Sequence, residues 1–279
     1  MTKLVGGQAV IEGVMMRNGD NIAIAVRDPE KKIQVKKLKI HVPEFKIPIV
    51  RGMVNLVYMM YIGVKSLNYS SNVVLQEDGK KESPYLSVII LIVGLVLGVG
   101  LFKFLPLGIA ELIDREFSIN NYFYNIIDGV VKIIIFIGYI FLISKMKDIR
   151  RVFQYHGAEH KVVNTFESKE ELNIENIKKY STVHRRCGTT FIFLVLFIAI
   201  IIYMFIPKDY SFSLKLGLRL LLLPLIAGIS YEILKLGGKY ENWFFDILIY
   251  PGLLIQKLTT KEPSDDQIEV AIRALKEVI

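Results

Sequence analysis

Apolar residues change their spacing several times along the chain, and each change marks a different kind of element. Near the N-terminus they come in short runs broken by turn formers: Val10 to Arg17, Asn18-Gly19-Asp20-Asn21, Ile22 to Arg27, Asp28-Pro29-Glu30, and Ile33 to Ile40. Such runs predict a three-stranded β meander, with Gly6-Gly7 and Gly13 at bulge or turn positions. No Gly-Lys-Ser/Thr follows these glycines, so nothing here matches a phosphate loop.

From Ile47 to Asn68 the spacing becomes helical, with Arg51, Asn55 and Lys65 interrupting a Met, Tyr, Leu and Val surface. That is too polar for a membrane span and predicts an interfacial amphipathic helix. A polar linker, Gln76 to Ser83, follows. Four long apolar stretches come next, at Tyr85 to Leu105, Tyr122 to Ser144, Thr190 to Ile206 and Leu214 to Leu236. The first two have the roughly 20 residues a bilayer demands. The second holds Asp128 and Lys132 at i, i+4, where they can neutralise each other. Trp243 to Leu258 is apolar but broken by Asp246 and Pro251-Gly252, which predicts a membrane-surface or re-entrant helix pair. Last, Ser264 with Gln267 reads as a capping box opening a helix whose apolar stripe is Ile268, Ala271, Ile272, Leu275 and Ile279. That helix is expected to dock on the β unit or on another protein.

The organisation is therefore that of a mainly α membrane protein with a small N-terminal β meander. A β unit occupies 1–46, and an amphipathic helix with its linker 47–84. A four-span bundle at 85–236 encloses a polar loop at 145–189, and a membrane-surface segment with a C-terminal helix fills 237–279. Composition agrees, because 52% hydrophobic residues and a mean hydropathy of +0.41 exceed what soluble proteins carry. The formal charge of +8 would suit nucleic acid. Its positive residues, however, cluster beside apolar runs, ten of them from Lys145 to Arg186, which points to lipid headgroups, and no nucleic-acid partner is expected. The same bias places both termini and the 145–189 loop on the cytosolic side of a cell membrane. A single cysteine excludes an intramolecular disulfide, and Met1 to Gly7 contain no apolar core of a signal peptide. No inverted repeat of the transporter kind is present.

Chemistry concentrates between Tyr155 and Gly188, which hold three of the four histidines and the only cysteine. On a helix, His156, Glu159 and His160 leave from one face. H-x-x-E-H is the order of inverzincins, in which two histidines hold zinc and the glutamate activates water. His184 and Cys187 could complete a tetrahedral site. A closed set of His156, His160, His184 and Cys187 would be structural. An open set would leave Glu159 as general base. Glu232 and Glu12 are the further acids that could stand behind the ligands. For Glu232 the plainer expectation is an ion pair with Lys235, and for Glu12 and Arg17 a solvated strand face.

Five blocks carry a family resemblance: G-G-Q-A-V-I-E-G-V-M-M-R (6–17), Y-H-G-A-E-H-K (155–161), H-R-R-C-G-T (184–189), L-P-L-I-A-G-I-S-Y-E (223–232), and P-G-L-L-I-Q-K-L-T-T-K-E-P with D-D-Q-I-E-V-A-I (251–272). In this order they resemble the YqhQ-like bacterial membrane family over almost the whole chain. The resemblance implies a bacterial multi-pass protein and carries the label of metal-dependent enzyme. Where that family often has His-Pro-Arg-Cys, this chain has His184-Arg185-Arg186-Cys187, which keeps both candidate ligands.

Two functions follow as expectations. One is a metal-dependent hydrolase, zinc being the first ion to test, with Glu159 moving the proton at the cytosolic membrane surface. The other is a non-catalytic membrane factor in which the His/Cys cluster is a staple and the β unit or C-terminal helix docks another membrane complex. A transporter built on Asp128, Lys132 and Glu232 ranks third.

Overall fold

Turn chemistry at the N-terminal end produces four strands rather than three. The structure, a computed structural model, describes residues 5–43, 45–75, 84–240 and 242–279. Strands β1 (Val5–Val10), β2 (Gly13–Asn18), β3 (Asn21–Arg27) and β4 (Ile33–Lys39) form one antiparallel sheet in sequential order. The strand that spacing alone misses is β1, whose Gly7 and Gln8 are weak strand formers yet pair with Met16 and Met15. A tight turn with Glu12 at φ 51° joins β1 to β2, and Gly19 at φ 61° joins β2 to β3. Both faces of the sheet are covered. Val14, Met16, Ala23 and Ala25 face one helical layer, while Met15, Ile22, Ile24 and Val26 face another, as period-2 alternation requires.

Helix α1 (Pro48–Leu75) does more than lie alone on a surface. Its C-terminal half covers the second sheet face through Ile62 and Val73. Its N-terminal half crosses α9 (Leu223–Gly237) at Gly52, where a Cβ would come within 3.0 Å of the Gly228 carbonyl oxygen. The linker 76–83 lies outside the described residues.

Helix α2 (Pro84–Val99), a π-helical turn (Gly100–Phe104) and α3 (Leu105–Phe117) form a continuous helical run. The stretch carrying Glu111, Asp114 and Glu116, which lies between the first two expected spans, is therefore helix. Helix α4 (Asn121–Ile143) starts at Asn120, whose side chain caps Phe123 N–H. Then come α5 (Lys147–Glu167), α6 (Ile174–Lys178), α7 (Gly188–Tyr203), α8 (Phe212–Leu221), α10 (Trp243–Thr259) and α11 (Asp265–Lys276).

By length and composition, two stretches among the described residues could cross a membrane, Ile92–Phe117 and Asn121–Ile143. The pair α8 and α9, bent by 40°, makes a third if it is one span. Helix α7 is apolar but has 16 residues, or roughly 24 Å, against a hydrocarbon core of about 30 Å. By that measure, two or three spans are shown among the described residues where four are expected. Helix α10 corrects a second expectation: it is one helix through Pro251 rather than a pair. Gly252 lets it press on α7 so closely that a Cβ would sit 2.8 Å from Thr190 Cα. Helix α11 opens on the expected capping box of Ser264 and Gln267 and buries Ile268, Ala271 and Leu275 against the sheet and α5.

Candidate functional site

Helix α5 lies between the sheet and the bundle, and its H-G-A-E-H turn faces inward because Ala158 within it and Tyr155 and Val162 on either side are core residues. Gly157 fixes how close it sits. A Cβ there would lie 2.1 Å from the Lys261 carbonyl oxygen, so only glycine lets the 259–261 segment approach.

That approach brings Thr259 to His156, whose Nδ1 lies 2.9 Å from the Thr259 carbonyl oxygen. His160 Nδ1 makes the same kind of contact, 2.6 Å from the Thr182 carbonyl oxygen. A carbonyl can only accept, so each Nδ1 carries a proton and each ring turns its Nε2 to the other side. There His156 Nε2 stands 3.3 Å from Cys187 Sγ. One ligand atom each from His156, His160 and Cys187 falls within 4.8 Å of the others. The two imidazole centroids are 4.4 Å apart. Cys187 is the N-cap of α7, so its sulfur accepts from Thr189 N–H, 3.3 Å away, and faces the positive end of that helix dipole.

Glu159 lies beside this trio with its Oε2 3.4 Å from His160 Nε2 and its side chain 6% exposed. Burial pushes its carboxyl above the usual carboxylate range, opposed by His156, His184, Arg186 and the backbone of Gly7. Strand β1 is the roof: a Cβ on Gly7 would stand 2.7 Å from Glu159 Cγ. The strand missed in the sequence is therefore the one that closes the site.

His184 stands next to the trio rather than in it. Its ring centroid is 5.6 Å from that of His160, but its Nε2 turns 3.4 Å from Glu167 Oε2. Burial pushes Glu167 up, yet hydrogen bonds from His184 and Arg186 outweigh it and hold the carboxyl below its ordinary range. Arg186 also donates to the Val5 carbonyl, 3.2 Å away, which ties the H-R-R-C loop to β1. Gln256, wholly buried on α10, holds the same loop by accepting from His184 N–H and donating to His184 O, each at 2.9 Å. A lone glutamine in an apolar run was the signal for it.

The two remaining acids sit elsewhere. Glu12 accepts from Arg151 Nη2 at 2.6 Å and contacts Tyr155 OH at 3.4 Å, one residue before His156. Glu232 gives both oxygens to Arg51, at 3.0 and 2.5 Å, where sequence spacing favoured Lys235. The expected Asp128–Lys132 pair is present at 2.5 Å.

Comparison with known proteins adds family but not chemistry. No solved structure matches. The chain is similar to the uncharacterized protein YqhQ of Bacillus subtilis (strain 168), with 36% identity over 293 aligned residues, covering 98% of this chain and 92% of that protein. Residues 47–279 match the family described as "Protein of unknown function (DUF1385)", and on both grounds the chain belongs to the DUF1385 family.

Proposed function

We propose that this is a multi-pass membrane protein with a metal-dependent hydrolytic centre at its cytosolic face. His156, His160 and Cys187 would hold the ion and Glu159 would handle the proton. The observation that carries this reading is the pair of backbone carbonyls, Thr259 O and Thr182 O, that fix both Nδ1 protons, turning His156 Nε2 to Cys187 Sγ and His160 Nε2 to Glu159 within one cluster of ligand atoms. Metal-binding histidines are oriented by just such acceptors behind the ring. A mixed imidazole and thiolate set of three suits zinc and leaves a fourth position for water. Bound there, a divalent ion supplies Lewis acidity that makes water a nucleophile near neutral pH. Glu159, next to His160 and covered by β1, would take a proton from the nucleophilic water and return it to a leaving group.

Four spans and a cytosolic location for both termini belong to the same reading and rest on the basic loop at 145–189. Metal content of the purified chain tests it first: one zinc, iron or manganese per protein is expected, and sub-stoichiometric metal of every kind ends the proposal. Glu159→Gln tests the chemistry. It should keep the metal and fail to complement a deletion strain.

A second reading is favoured by the depth of the site. Glu159 is 5% exposed and His160 2%, which suits a structural staple in a factor that docks another membrane complex through the sheet. Under that reading Glu159→Gln complements fully while Cys187→Ala does not.

A further inference from the structure

A second polar centre lies inside the helical bundle, toward the end formed by the connections 118–120 and 204–211. It gathers on the ring of Tyr203. Arg219 Cζ is 5.1 Å from the ring centroid, Lys132 Nζ 5.5 Å and Lys103 Nζ 5.9 Å. These cations come from three helical segments. Lys103 is on the π-helical turn, Lys132 on α4, and Arg219 three residues before the break between α8 and α9. π-turns and broken helices recur where membrane proteins bind ligands.

One carboxylate answers the three cations. Asp128 Oδ2 lies 2.5 Å from Lys132 Nζ and 2.8 Å from Arg219 Nη1. Three positive groups against one negative leave two positive charges uncompensated, with Arg219 0% and Lys132 5% exposed. Arg219 Nη2 donates to Asn125 Oδ1 at 2.6 Å. Nε has no hydrogen-bond partner among the described residues, and Nη1, though within ion-pair range of Asp128, is not aligned for a hydrogen bond. Buried charged donors without acceptors are costly, and an unbalanced buried cation cluster more so. Ionisable groups in such a bundle mark binding or conduction by default.

The polar surface also continues outward. Lys215, one turn before Arg219, donates to Tyr124 OH at 2.8 Å and to the Lys208 carbonyl at 3.0 Å, and Lys208 pairs with Asp114 at 2.8 Å. A chain of polar side chains thus runs from the bundle end to within one turn of Arg219.

We propose that Arg219, Lys132 and Lys103 form an anion-binding site whose ligand is a phosphate-type dianion, either free or as the monoester headgroup of a lipid. Two uncompensated positive charges match a dianion, and Arg219 Nε supplies a buried donor that lacks an acceptor. The site shares no residue with the metal centre, so metal content and anion binding can fail separately.

The test uses the full chain. In detergent, its melting midpoint is followed against inorganic phosphate, with chloride at equal ionic strength as control. In nanodiscs of phosphatidylcholine, it is followed with and without phosphatidic acid. Stabilisation by one probe identifies the source as free or lipid-borne. Lys103→Gln removes an excess charge from a half-buried position, and Arg219→Lys keeps charge but removes Nε. Each should fold as wild type and respond with an affinity at least about tenfold weaker, the factor that follows from losing roughly 1.4 kcal/mol of binding. Absence of a shift with both probes overturns the proposal, and so does a wild-type response in both variants.

Discussion

Gly157 and Lys261 touch where no side chain could intervene, since a Cβ at 157 would stand 2.1 Å from the Lys261 carbonyl oxygen. The same contact seats Thr259 O on His156 Nδ1. Gly157→Ala must therefore push the 259–261 segment away. Overpacking of this kind costs about 1–3 kcal/mol, and the loss should appear as a lower unfolding midpoint together with reduced metal stoichiometry. If metal content stays at wild-type level while the midpoint falls, Thr259 does not orient His156.

The one-face convergence of His156, Glu159 and His160 was legible because helical spacing alone dictates it. The acceptors behind the rings were not, since Thr182 and Thr259 contribute backbone atoms and lie 22 and 103 residues away from their histidines. Carbonyl positions leave no trace in side-chain patterns. Strand β1 was hidden for another reason: Val5 to Val10 includes two glycines and a glutamine, so its pairing with β2 and its packing on Glu159 override weak local propensity. Arg219 was lost inside an apolar average, where one buried cation among leucines barely alters a hydropathy reading. Its meaning depends on Asp128 and Lys132, which sit on a different helix.

The Arg51–Glu232 pair staples α1 to α9 beside the Gly52–Gly228 crossing, with side chains 29% and 14% exposed. Two charge-assisted hydrogen bonds, partly screened, should make Glu232→Ala cost on the order of 1–3 kcal/mol. The double variant Arg51→Ala/Glu232→Ala should lose less than the sum of the single losses, because each single change strands a charge. Unfolding midpoints of the four proteins give the coupling directly. Simple additivity would show that the pair does not hold the helices.

Helix α11 is tied to β4 through Lys37 and Glu277. The hydrogen bond from Lys37, aided by Arg273, holds the Glu277 carboxyl below the ordinary range despite partial desolvation. A depressed folded-state value means its contribution is fully present above the unfolded value of about 4.3 and is lost as pH falls through the folded one. Amide exchange in 265–278 should therefore accelerate first below about pH 4.3. In Lys37→Ala that acid-induced step should shrink. An identical acid profile in wild type and variant would remove Glu277 from the docking of α11.

Metal retention should sort the three clustered histidine positions by geometry rather than by residue type. His156 and Cys187 face each other at 3.3 Å, and His160 completes the trio, whereas His184 gives its Nε2 to Glu167. His156→Ala and Cys187→Ala should then purify without stoichiometric ion. His184→Ala should keep one ion per chain and bind it about 10–100-fold more weakly, the usual effect of losing a group that supports the ligands from behind. Chelation should lower the unfolding midpoint of wild type, because an ion present at about 1,000 times its Kd contributes about 4 kcal/mol to the folded state. The same chelator should leave the midpoint of Cys187→Ala unchanged. If His184→Ala loses its ion as completely as Cys187→Ala, the centre is the four-ligand closed set instead, and Glu159 has no open position to serve.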